Sequence, residues 1–123
     1  MIFTDVVTVT TIADGTATAY SNHITGRLLE IRYVKTDYAA GVDFTITTET
    51  TGQGLWTESD VNASTVRRPL AASHGAAGTA LNYNDESDEP VCVPIYIAGE
   101  RVKFVLAQGG DTKTGTFTIV YEA

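Results

Sequence analysis

Residues 27–35 read Arg27-Leu28-Leu29-Glu30-Ile31-Arg32-Tyr33-Val34-Lys35. Leu29, Ile31 and Tyr33 share one parity and Glu30 and Arg32 the other, a period of two that a pleated strand satisfies and a helix does not. The stretch is therefore a strand with one apolar face, running from Arg27 to Lys35.

The same period recurs on both sides of it. A Val- and Thr-rich run from Asp5 to Ile12 predicts a first strand, ended by the turn signal Ala13-Asp14-Gly15-Thr16. Phe44 and Ile46 alternate with Asp43, Thr45 and Thr47, and Thr51-Gly52-Gln53-Gly54 stops that ladder. Leu55 and Trp56 begin a short further strand. From Thr57 to Glu89 the period fades into loop, with short strands that the pattern does not locate.

After Pro90 the alternation returns. Val91, Val93, Ile95 and Ile97 are expected on one face, Ala98-Gly99-Glu100 as a turn, and Val102, Phe104 and Leu106 on the returning strand of a hairpin. Pro94 lacks the N–H of a central ladder, which places it at an edge or a bulge. Phe117, Ile119 and Tyr121 form the apolar face of a last strand. No segment carries helical spacing behind a cap, and strands without helices bury their faces on another sheet. The expected fold is one all-β domain over 1–123, a β-sandwich of jelly-roll topology.

Composition bounds the function. At 123 residues the chain supports one core. Fifteen carboxylates against eight Lys and Arg give a net charge of −7, which repels phosphate and disfavours nucleic acid as a partner. No apolar run is long enough for a membrane helix, and the N-terminus has no secretory pattern, so a soluble protein without membrane attachment is expected. The single Cys92 cannot form an internal disulfide and is expected as a buried, hydrophobe-like thiol in a protein made in a reducing cytoplasm.

Chemical signatures are absent. His23 and His74 have no Cys, Asp or Glu at ligand spacing, and the stretch Asn84–Glu89 lacks the Gly and distal Glu of an EF-hand, so it reads as a solvated loop. Gly52-Gln53-Gly54 and the Gly110/Gly115 pair miss the further glycine and the lysine that phosphate-binding loops need. There is no Gly-x-Ser-x-Gly elbow, and Cys92 has no evident base. Neither an enzyme nor a cofactor is expected.

Three residues stand out for binding. Trp56, the only tryptophan, either plugs the core or anchors an interface, with packing the favoured role. Arg67 and Arg68 form a positive pair in an acidic chain, either solvated or facing a carboxylate on a partner. Tryptophan and arginine are enriched at interface hot spots, so Trp56, Arg67 and Arg68, within Leu55–Ser73, are the candidate partner-binding residues.

Three groups of segments taken in order resemble a family of small proteins encoded in tailed-bacteriophage genomes near capsid genes. They are Thr25–Tyr33, then Asp43–Thr47 through Gly52, then Glu100–Gly110 through Gly115–Val120. The resemblance extends to jelly-roll head decoration, or cement, proteins. It implies a structural virion protein on the capsid exterior, made in the bacterial host cytoplasm, with the major capsid protein as partner and self-association into an oligomer. A head-completion, tail or baseplate component is the alternative within that setting. A carbohydrate-binding sandwich is the alternative outside it.

Overall fold

The computed structural model describes residues 1–84, 86 and 88–123. Nine strands follow one another: β1 (Ile2–Thr10), β2 (Ala17–Lys35), β3 (Asp43–Thr48), β4 (Gly54–Glu58), β5 (Thr65–Arg67), β6 (Ala71–Ala72), β7 (Cys92–Val93), β8 (Tyr96–Ala107) and β9 (Thr114–Glu122). No helix occurs among the described residues.

The long β2 organises them. Its first half, from Ala17 to Arg27, pairs with β8, and β8 pairs in turn with β3 and β3 with β4. Its second half, from Arg27 to Lys35, lies between β9 and β5, and β9 pairs with β1. Two antiparallel rows result, β1-β9-β2-β5 and β2-β8-β3-β4, with β2 passing from one to the other at Arg27. This is the strand order of a jelly-roll sandwich, so the expected all-β sandwich is the fold.

Bulges let one strand serve two layers, because an extra residue bends a strand and raises its local twist. Ser21 and Asn22 together face Val102. The Ser21 hydroxyl accepts the Val102 N–H at 2.9 Å, keeping the interrupted ladder satisfied. Gly26, at the corner, has φ of 151°, and a Cβ there would stand 2.4 Å from the Glu122 carbonyl oxygen. Only glycine permits that approach.

The inner faces form one core. Val7, Val9, Ile31, Tyr33, Phe117 and Ile119 come from the first layer, and Ile24, Val102, Phe104, Leu106, Phe44 and Ile46 from the second. Phe117 is the hub, with ring centroids at 5.0 Å from Phe44, 4.9 Å from Phe104 and 5.2 Å from Tyr33. The edge-to-face contact with Phe44, the tilted one with Phe104 and the stacked one with Tyr33 are arrangements that suit the ring quadrupole.

Several expectations change. The first strand begins at Ile2, earlier than Asp5, and β2 extends back to Ala17. Leu28, not Leu29, joins Ile31 and Tyr33 in the core, because Leu29 is the extra residue of a bulge against β9. The Ala98-Gly99-Glu100 turn does not exist, and β8 runs straight through it. Gly99, at φ 65°, is a bulge residue whose N–H is taken by the Thr25 hydroxyl. A positive-φ glycine suits turn and bulge alike, and the bulge moves burial from Ile95 and Ile97 to Val102, Phe104 and Leu106. Cys92 is exposed, not buried, and Val93 is exposed with it. The pair β6–β7 forms a separate two-stranded sheet in which Ala71, not Cys92 or Val93, packs against the core. Pro94 sits between β7 and β8, where no ladder N–H is required.

Candidate partner-binding surface

Trp56 enters the core through another bulge. Ile46 pairs with Trp56 and Thr47 with Gly54, leaving Leu55 as the extra residue, so Leu55 and Trp56 both turn inward. The indole is 5% exposed and packs edge-on to Phe44 at 5.3 Å. Its N–H donates to Glu58 Oε1 at 3.0 Å.

Glu58 also receives Arg67. The guanidinium donates Nε–H to Oε1 at 2.9 Å and Nη2–H to Oε2 at 3.0 Å, the two-pronged geometry that planar Arg favours. Its carbon lies 5.4 Å from the Trp56 ring centroid. The Arg67 guanidinium holds the Glu58 carboxyl below the usual range, helped by the indole N–H and opposed by burial, and Glu58 raises Arg67 in return. β4 and β5 lie in different layers, so this cluster clips the edge of the second layer to the edge of the first.

Arg68 faces the other way. It approaches Glu30 at 3.5 Å, and Arg32 also pairs with Glu30. The carboxylate is held low chiefly by Arg32, with burial opposing and Arg68 assisting. The Arg32 and Arg68 side chains are 52% and 72% exposed, against 15% for Glu30. Two outward guanidiniums therefore share one largely covered carboxylate.

These groups lie on the outer face of the first layer. Across it, register aligns Val6 with Thr118, Thr118 with Arg32, and Arg32 with Val66. The next row aligns Thr8, Thr116 and Val34. Val6, Val34 and Val66 are exposed. The face is a pleated surface of methyls and hydroxyls with a local positive charge, in a chain whose total is −7.

Of the three residues singled out by sequence, the structure brings Trp56 and Arg67 together around the half-exposed Glu58 and puts Arg68 on a separate patch. Arg32, Val6, Val34 and Val66 were missed. Arg32 was visible as the outward partner of Ile31 and Tyr33, whereas its meeting with Arg68 across β2 and β5 left no local signal.

Among the described residues no group of three or more His, Cys, Asp and Glu is placed to hold a metal ion. No helix among them is long and apolar enough to cross a membrane. In the acidic stretch Asn84–Glu89, Asp85 and Ser87 lie outside the described residues, and the Asn84 side chain accepts the Glu86 N–H at 3.0 Å. In comparison with known proteins, no family model matches this chain and no curated protein matches its sequence.

Proposed function

We propose that this chain is a structural protein of a bacteriophage head that decorates or cements the major capsid lattice from outside and self-associates there. The observation that carries the reading is the outer face of the first layer, exposed, rich in Thr and Val, and charged by Arg32 and Arg68 against the acidic sign of the chain. A protein that clips onto a lattice needs a rigid body, a face to lay against the shell and a few charges to set orientation. The segments resembling phage head proteins are those that build β2, β3, β8 and β9, the frame on which that face rests. Binding at many symmetric sites lets modest single contacts add up. The role is one of binding, with no reaction catalysed.

The test is occupancy on capsids lacking the native protein, measured for Arg32→Ala with Arg68→Ala and for the wild type. The double variant, which strips Glu30 of both cations, melts somewhat lower but stays folded at the assay temperature, and it needs about tenfold more protein for half-occupancy. Equal binding by both removes this face from the contact. Copy number decides the wider role: hundreds of copies per particle fit decoration, and about a dozen or fewer indicate a head-completion, tail or baseplate part.

A further inference from the structure

Residues 69–94, between β5 and β8, form an arm with no core of its own. Among its described residues none is buried, and Leu70, Leu81, Tyr83 and Val93 are exposed, Tyr83 at 69%. The arm is nonetheless ordered by its backbone. β6 pairs only with β7. The Ser73 N–H donates to Val91 O, the Leu81 N–H to Ser73 O and the Val91 N–H to Leu81 O, at 2.9–3.1 Å. A hydrogen-bonded ribbon that leaves four large apolar side chains in water has the makings of half an interface.

Its charge indicates the other half. The arm holds four of the fifteen carboxylates and none of the eight Lys and Arg. All of the cations therefore lie on the body of the molecule. One group of them stands on the outer face of the second layer, where Arg101 grips Glu49, lies 4.1 Å from the Tyr20 ring centroid and neighbours Lys103. Arg101, His23 and Lys103 all act on the Glu49 carboxylate. Tyr20 is itself exposed, and Val105 lies on the outward side of the same layer, level with Thr18 and Thr45.

We propose that the arm of one copy seats on the Tyr20–Arg101–Lys103 patch of a second copy, its apolar side chains against Tyr20 and Val105 and its carboxylates toward Lys103. This deepens the self-association of the proposed function and rests on that part of it. Donor and acceptor patches differ, so each copy gives one contact and receives one, the head-to-tail arrangement that forms a ring where its rotation closes and a filament where it does not.

Sedimentation velocity on the purified full chain, without capsids, tests it across a dilution series at low and high salt. The wild type forms an oligomer that dissociates about tenfold more readily when salt screens its charges. Lys103→Glu weakens assembly by about tenfold or more, as does Glu86→Lys with Asp88→Lys, and the combined protein regains most of the loss. Leu81→Ser with Tyr83→Ser, at exposed positions, gives a folded monomer. A wild type monomeric at every concentration overturns the proposal, and so does an oligomer indifferent to both charge changes or a combined variant that shows no recovery. Decoration is read separately on capsids, so an oligomer that fails to bind them refutes that role and leaves the contact intact.

Discussion

Tyr33 and Tyr38 lie nearly parallel with ring centroids 6.1 Å apart, yet only one hydroxyl is satisfied. Tyr38 donates to the carbonyl of Val9, while the buried Tyr33 hydroxyl has no hydrogen-bond partner among the described residues. Burial pushes the Tyr33 phenol up to about 12. Burial also raises Tyr38, with its neighbour Tyr33 adding to the effect.

The two phenylalanine substitutions therefore differ in sign. Tyr38→Phe leaves the Val9 carbonyl without this bond and costs about 1 kcal/mol, whereas Tyr33→Phe removes an unpaired polar atom and is neutral or stabilising by about 1 kcal/mol. Thermal melts of the two variants check this. Equal destabilisation of both refutes it.

Gly26→Ala strikes the corner of β2. The methyl would meet Glu122 backbone at 2.4 Å, at a φ that L-residues rarely adopt, so a loss of about 3 kcal/mol is expected. Urea denaturation gives the value. A loss below about 1 kcal/mol would mean that the corner yields easily.

Glu100 is buried on β8 and closes the turn after β3. It accepts the N–H groups of Thr50 and Thr51 at 2.8 and 3.0 Å and the Thr51 hydroxyl at 2.9 Å. Burial raises this carboxyl, but the hydrogen bonds from Thr51, Thr50 and Thr48 together outweigh it and leave it below the ordinary value of 4.5. A lowered carboxylate gives stability that is full above 4.5 and is lost as pH falls through the folded value. Glu100→Gln melts lower than the wild type at neutral pH, and the gap narrows as pH drops below 4.5. A gap constant across that window would remove Glu100 as its source.

Trp56→Ala opens a cavity beside Phe44 and frees Arg67 and Glu58 from the indole, with an expected loss of about 3–5 kcal/mol. The native protein should show the blue-shifted emission of a buried indole, poorly quenched by iodide. Ready quenching would place the ring at the surface.

Cys92 is free and exposed on the arm. The native protein should react with a thiol reagent stoichiometrically and without loss of its melting transition. Reaction only after denaturant would return the thiol to the interior.

The sequence by itself determined the class of fold. Alternation at Ile31 and Tyr33, Phe44 and Ile46, and Phe117 and Ile119 is a local consequence of the two-residue pleat, and all six side chains are in the core. The turn at Ala13–Thr16 was equally local, with Asp14 accepting both the N–H and the hydroxyl of Thr16. Tertiary structure decided where phase changes. Ser21, Gly26, Leu29, Leu55 and Gly99 sit where one strand carries an extra residue or bends, and which residue takes that place depends on the partner strand's register. The same holds for Arg67 and Arg68. They are neighbours in sequence, but their carboxylates come from β4 and from β2, so only the closing of two layers assigns Arg67 to the Trp56 cluster and Arg68 to the outer face. Side-chain periodicity is written in the chain, whereas the partner across a sheet is fixed by long-range packing.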